Sequence, residues 1–146
     1  MKKIIAVVIG SVGLMSGAMA ATSTAPRLDA QIVNGWNEIA PLTRSINVAQ
    51  TGTLTAINGR AGFIKQNFDF TVSANVVLGM TDDATSNRLG VIAGSNKGYN
   101  VFTGSSVGGS VSACGGQVGK TQENLGASQV TSTNLVLDNA NGCGRQ

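Results

Sequence analysis

The sequence predicts an all-β or β-dominated single domain, sandwich-like and built from short antiparallel strands, with at most one or two short helices and one disulfide bond. Three observations predict this class. Apolar and polar residues alternate over residues 68–78. Several other short apolar segments are each bounded by glycine, asparagine or serine. Charged residues make up only 12% of the chain while 20 residues are glycine, a balance typical of exported β-rich proteins.

Residues 68–78 carry the clearest strand pattern. Apolar residues occupy every second position, and polar residues lie mostly between them. Because the side chains of a strand point alternately to its two faces, one face is expected to enter the core. The residues predicted to face inward are Phe68, Phe70, Val72, Ala74, Val76 and Leu78, and those predicted to face outward are Asp69, Thr71, Ser73 and Asn75.

Weaker strand patterns are spread over the rest of the chain. They cover residues 45–50, 53–57, 89–93, 99–103, 107–113 and 134–138. Asn58-Gly59 lies between apolar segments and predicts a turn, because both residue types tolerate a positive φ. Helix is least excluded over residues 35–42 and 119–129, although neither stretch has the apolar periodicity of a long helix.

The first 20 residues have the pattern of a secretory signal peptide. A basic start precedes a short apolar run, which ends in the small residues Ala18 and Ala20. The run is shorter than the roughly 20 apolar residues of a membrane-spanning helix, so we expect no transmembrane segment. We predict export, to the periplasm, the cell surface or the medium, with cleavage after Ala20. Residues 21–34 are predicted to be flexible or ordered by a partner, and residues 35–146 to form one β-rich domain.

The charge of the predicted mature chain gives no electrostatic footprint for nucleic acid. Without Lys2 and Lys3, eight of the ten Lys and Arg residues are left, against seven Asp and Glu. No two of these basic residues are adjacent, and a phosphate backbone is bound by clustered cations. We therefore expect neither nucleic acid nor anionic lipid as a partner.

Two cysteines, Cys114 and Cys143, are the only ones in the chain. Oxidising conditions outside the cytoplasm favour a disulfide between them. Two thiols without any histidine are too few for the usual structural metal sites. No metal and no cofactor is expected.

Three short motifs resemble chemical sites and each fails at a defining position. Residues 114–121, Cys-Gly-Gly-Gln-Val-Gly-Lys-Thr, end like a phosphate-binding loop, but that loop needs glycine where Cys114 stands. We interpret them as a half-cystine followed by a glycine-rich turn, with Lys120 exposed. Residues 138–142 resemble a calcium loop but have alanine at the third position, so they predict a turn. Asp82-Asp83 is predicted to lie in a solvated loop, with half of a cation site or a carboxylate pair as the alternatives.

No catalytic residue is predicted, because a Ser-His-Asp or Cys-His site cannot be built without histidine. A histidine-free hydrolase is the alternative to a non-enzymatic protein. Trp36 and Tyr99 are candidate ligand or partner contacts, since isolated aromatic residues can stack on sugars or anchor a partner. Packing in the core or at its rim is the competing interpretation of both.

Leu28, Ala30 and Ile32 alternate with polar residues near the start of the predicted mature chain. Together with the signal peptide, the alternating strands and the single cysteine pair, this layout resembles bacterial fimbrial subunits of the chaperone–usher type. The resemblance implies strand addition between neighbouring subunits, which makes these three residues candidate strand donors. The late cysteine pair is also similar to the C-terminal disulfide loop of type IV pilins.

The leading hypothesis from sequence is an exported structural or adhesive subunit of the cell surface. Such a subunit would be fimbria-like and act by self-association, by contact with other surface subunits, or by contact with a host or matrix ligand. The alternative hypothesis is a monomeric periplasmic or secreted binding domain for carbohydrate or protein.

Overall fold

The computed structural model describes residues 27–145. These residues form two β-sheets, and three short 3₁₀ turns are the only helical structure within this range. The strands in chain order are β1 (Ala30–Gln31), β2 (Gly35–Ala40), β3 (Gln50–Thr55), β4 (Phe68–Val72), β5 (Val76–Asp83), β6 (Arg88–Ser95), β7 (Val101–Ser105) and β8 (Ser112–Ala113). The prediction of a β-dominated fold is confirmed.

The smaller sheet has three strands in the order β1-β3-β4. β3 and β4 are antiparallel, and the predicted turn at Asn58-Gly59 lies in the connection between them, with Gly59 at φ 72°. β1 runs parallel to β3. Among the described residues, β1 and β4 are therefore the two open edges of this sheet.

The larger sheet has five strands in the order β2-β5-β6-β7-β8, and every neighbouring pair is antiparallel. β5 and β6 are its longest strands, with 8 residues each, and Asn87 takes a positive φ of 55° in the turn between them. The two sheets pack against each other as a sandwich whose core contains Ile32, Ile39, Leu54, Ile64 and Met80. Three strands cannot cover the whole face of five.

The opposite face of the larger sheet is covered by residues 125–143, which we call the C-terminal segment. Ile92 and Val101 pack there against Leu135, and all three are buried. The segment approaches the sheet closely at Gly94, where a β-carbon would lie 2.3 Å from the carbonyl oxygen of Gly126. β5 consequently buries apolar residues on both of its faces, with Met80 on one face and Val77 on the other.

The single strand predicted over residues 68–78 is wrong in one respect. β4 ends at Val72 and β5 begins at Val76, and the two strands belong to different sheets. Asn75 adopts φ 66°, a conformation that reverses the chain between them. The alternation continues across this turn because both strands direct Phe70 and Leu78 toward the same core. Val72 is buried as predicted, whereas Phe68 is 44% exposed.

Several weaker predictions differ from the structure in detail. Residues 35–42, a candidate helix, contain β2 instead, because Trp36 and Glu38 alternate with the buried Asn37 and Ile39 at the period of a strand. Residues 45–50 and 53–57 were expected as two strands, and β3 spans the gap between them. Residues 134–138 hold only an isolated bridge from Leu135 to Cys143, and residues 119–129 end in the 3₁₀ turn Leu125–Gln129.

A buried ion pair fastens the connection between β3 and β4 to the end of β5. Asp82 is fully buried and accepts a hydrogen bond from Arg60 Nη1 at 2.7 Å. Its carboxylate also accepts from the backbone N–H groups of Phe63 at 2.6 Å and Ile64 at 3.0 Å. The prediction of a solvated loop is therefore wrong for Asp82, because these three donors replace water around its charge.

Asp83, the next residue, caps the turn after β5. The Ser86 hydroxyl and the Thr85 backbone N–H donate to its carboxylate. These hydrogen bonds hold the pKa of Asp83 below its ordinary value of 3.8.

Candidate functional site

Cys114 and Cys143 form the predicted disulfide, with an S–S distance of 2.07 Å. The bond joins the chain just after β8 to the end of the C-terminal segment. Arg145 adds to this junction, because its Nη1 donates to the Cys114 carbonyl at 2.8 Å. Residues 114–121 thus begin with a half-cystine, as interpreted from sequence, and Lys120 is exposed.

Residues 138–142 form the turn that the sequence predicts. Asp138 pairs with Arg88 at the surface, and Ala140–Gly142 is a 3₁₀ turn. The described residues contain no group of three Cys, Asp or Glu side chains placed to hold a metal ion.

The candidate strand donors Leu28, Ala30 and Ile32 lie along the smaller sheet of their own molecule. Leu28 N–H donates to the Thr51 carbonyl at 2.9 Å, and Ala30 pairs with Leu54 in the parallel register. Ile32 is fully buried in the core between the sheets. Donation of this strand to a neighbour stays a prediction, and it would require Ile32 to leave that core.

Trp36 and Tyr99 are not brought together by the fold. Trp36 lies on the edge strand β2 and lines a cavity beneath the C-terminal segment. Tyr99 precedes β7, is 38% exposed, and lines a separate groove with Phe102. The two aromatic residues therefore belong to different surfaces.

One part of the larger sheet is left open by the sandwich. The register places Met80, Val91 and Gly104 side by side on one face of the sheet. The next row on that face, two residues away in each strand, is formed by Leu78, Ala93 and Phe102. The smaller sheet covers Met80, whereas Val91 is 36% exposed and Phe102 is 47% exposed.

Val111 extends this open area. It lies over Gly104, whose β-carbon would be 2.9 Å from the Val111 Cγ2 atom, and it is 74% exposed. Phe63 and Phe68 border the area and are 46% and 44% exposed. We call this area the uncovered face; it consists of Val91, Phe102 and Val111, with Phe63 and Phe68 at its border.

The uncovered face is apolar and carries no charge. Grooves of about 300, 240 and 140 Å³ run over it, and none of the residues that line them is Lys, Arg, Asp or Glu. Contiguous exposed apolar side chains of this kind are a feature of protein interaction sites.

The open edge of β4 lies beside the uncovered face. The groove of about 140 Å³ runs between Phe68 and Phe70 of β4 and Leu89 and Val91 of β6. Beyond this groove, β4 has no strand partner in the described chain, so its outer backbone groups are free to pair. An incoming segment would meet both an apolar groove and a strand edge.

Sequence reasoning did not single out the uncovered face. Its trace in the sequence is the pair of consecutive apolar residues in neighbouring strands, Val91-Ile92 and Val101-Phe102. A strand with apolar residues on both faces is covered on both sides or presents one side to a partner. The residues alone do not reveal which of the two holds, because that depends on the width of the smaller sheet.

No family model, no curated protein and no solved structure matches this chain. Within residues 27–145, no helix is long and apolar enough to cross a membrane.

Proposed function

We propose that this chain is an exported structural or adhesive subunit of the cell surface, fimbria-like, which acts by associating with further copies of itself. The observation that carries the proposal is the uncovered face, where Val111 is 74% exposed and Phe102 is 47% exposed, although the smaller sheet buries Met80 on the same face of the larger sheet. Burying exposed apolar side chains is the main driving force of protein association.

The numbers of strands in the two sheets favour a second copy of this chain as the partner that covers the uncovered face. In each molecule, three strands lie over part of a five-stranded sheet. If two copies pack their uncovered faces together about a two-fold axis, the larger sheet of one copy lies beside the smaller sheet of the other. Each layer then contains eight strands, and the edge strand β4 faces the edge strand β8 of the other copy. A two-fold contact is self-complementary in this way because both copies contribute the same surface.

The absence of charge on the uncovered face also favours a second copy. A partner recognised by charge would require Lys, Arg, Asp or Glu among the lining residues, and the grooves over this face have none. An equally apolar and uncharged surface is supplied by the same face of another molecule.

The proposal is tested by the oligomeric state of the secreted protein in solution. Light scattering after gel filtration, over a range of concentrations, is expected to show association of the wild type. Val111→Asp is expected to shift the protein to the monomer without unfolding it, because the side chain is mostly exposed. Val48→Asp is the matched control, since Val48 is 47% exposed and does not line these grooves.

Electron microscopy of the purified protein and of the cell surface tests the fimbrial part of the proposal. Filaments that contain this chain would support a fimbrial subunit. A wild type that stays monomeric at all concentrations would contradict self-association and favour the second candidate, a monomeric binding domain. That candidate is supported by the cavity around Trp36, on the other face of the larger sheet.

A further inference from the structure

A cavity of about 250 Å³ lies on the face of the larger sheet opposite the uncovered face. Its walls are the edge strand β2, the turn that follows at residues 41–43, and the C-terminal segment at residues 127–131. It shares Leu78 with the groove of about 140 Å³ but contains none of the residues of the uncovered face, and it plays no part in the proposed self-association.

Trp36 gives this cavity a fixed aromatic wall. Its indole ring packs directly on Gly79 of β5, where a β-carbon would lie 2.2 Å from the ring atom Cη2. The ring is partly buried and also touches the second core of Ile92, Val101 and Leu135. Because this packing holds the ring in place, a ligand that contacts it does not have to order a mobile side chain.

Polar groups surround the aromatic wall. Glu38 stands two residues after Trp36 on the same face of β2, is exposed, and belongs to none of the ion pairs of the described residues. The exposed hydroxyl-bearing residues Thr43 and Thr131 line the cavity from its two sides. Ser128 also lines it; its hydroxyl donates to the Leu125 carbonyl at 2.7 Å and accepts from Gln129 Nε2 at 3.2 Å, which leaves one acceptor lone pair on its oxygen.

We propose that this cavity binds a single pyranose unit of a carbohydrate. A sugar ring presents an apolar C–H face, which suits the Trp36 indole and Pro41, and a rim of hydroxyl groups, which suits the Glu38 carboxylate and the threonine hydroxyls. The lining contains a carboxylate and no Lys or Arg, which disfavours an anionic ligand. The volume is below the roughly 300–1,000 Å³ of pockets that enclose drug-sized ligands, so the site fits one ring and not a longer chain.

Trp36 supplies the reporter for the test, because it is the only tryptophan in the chain. Methyl glucopyranoside, methyl mannopyranoside and methyl galactopyranoside are titrated into the full mature protein while tryptophan fluorescence is recorded. At least one of them is expected to change the emission saturably, with a Kd of about 1 mM, the order expected for a ligand of this size.

Glu38→Gln is expected to raise that Kd about tenfold, because the variant replaces a charged acceptor by a neutral amide at an exposed position. Glu123→Gln is the matched control, since it makes the same change at an exposed residue outside the cavity, and its Kd is expected to equal that of the wild type. The monomeric variant Val111→Asp is expected to bind as the wild type does, which separates this proposal from the self-association.

Two results would overturn the proposal. One is a fluorescence that does not change saturably with any of the three glycosides up to tens of millimolar. The other is a Kd that is the same in Glu38→Gln and in the wild type, which would place the sugar away from the cavity.

Discussion

Replacing Asp82 by alanine is expected to destabilise the protein more than any other single substitution of a charged residue described above. The carboxylate is fully buried, and the side chain of its partner Arg60 is only 7% exposed. Asp82→Ala leaves the Arg60 guanidinium buried without a counter-charge. It also removes the acceptor of the Phe63 and Ile64 backbone N–H groups.

The size of the effect follows from these losses. Breaking a buried ion pair by removing one partner costs about 3–5 kcal/mol, and a buried donor left without an acceptor costs about 1–3 kcal/mol. The terms are not additive, because the connection between β3 and β4 can shift and admit water. We expect a loss of at least about 4 kcal/mol in the free energy of unfolding, a large part of the roughly 5–15 kcal/mol of a typical domain.

Urea unfolding followed by circular dichroism measures this loss of free energy. A double-mutant cycle with Arg60→Met shows how much of the loss comes from the interaction between Asp82 and Arg60. The double variant Asp82→Ala/Arg60→Met holds no buried unpaired charge, so it is expected to be less destabilised than the sum of the two single variants by about 2 kcal/mol. Asp138→Ala is the control, because that carboxylate also pairs with an arginine but is 83% exposed. A loss below about 1 kcal/mol for Asp82→Ala, or strict additivity in the cycle, would show that the buried ion pair does not stabilise this part of the fold.

Three further predictions concern single features of the fold. Cys114→Ser and Cys143→Ser are each expected to lower the free energy of unfolding by about 3–4 kcal/mol, because each removes the same cross-link over a sequence separation of 29. The double variant is expected to be no less stable than either single variant, and unequal losses in calorimetry would contradict this. Asp83 has a lowered pKa, so its hydrogen bonds stabilise the fold above pH 3.8 and are lost as the pH falls below that value. Asp83→Asn is expected to weaken the dependence of the free energy of unfolding on pH in this acid range, and an unchanged dependence would contradict the prediction. Gly79→Ala is expected to displace the Trp36 ring and shift its fluorescence maximum, and an unchanged spectrum would show that the ring does not rest on this glycine.

Much of the strand content could be read from local patterns, but the assignment of strands to sheets could not. Alternation identified residues 68–78, yet the same alternation hides the reversal at Asn75, because β4 and β5 face one core from opposite sides. The parallel pairing of β1 with β3 has no local trace either, since it joins Ala30 to Leu54 across a long stretch of chain. Such non-local contacts are set by the packing of the whole domain.

The candidate surfaces were predicted only in part. The isolated aromatic character of Trp36 pointed to a contact residue, and the structure places it in a cavity with Glu38. The buried partner of Asp82 was not foreseen, because Arg60 lies 22 residues away and nothing in either neighbourhood marks the pair. The uncovered face depends on a difference in width between two sheets, and that difference exists only once the strands are ordered.

The two proposed surfaces lie on opposite faces of the larger sheet, and this placement has a testable consequence. Val91 and Phe102 face the proposed partner, whereas Trp36 and Glu38 face the cavity. The larger sheet between them is a continuous hydrogen-bonded ladder from β2 to β8, so neither surface is expected to move when the other is occupied. The Kd of the glycoside is therefore expected to be the same for the associated wild type and for monomeric Val111→Asp, and Glu38→Gln is expected to associate as the wild type does.

Substitutions at sites without shared contacts are usually additive, so the double variant Val111→Asp/Glu38→Gln is expected to combine the two single effects. A glycoside affinity that changes with protein concentration in the wild type, but not in Val111→Asp, would show instead that association and binding are coupled through the sheet.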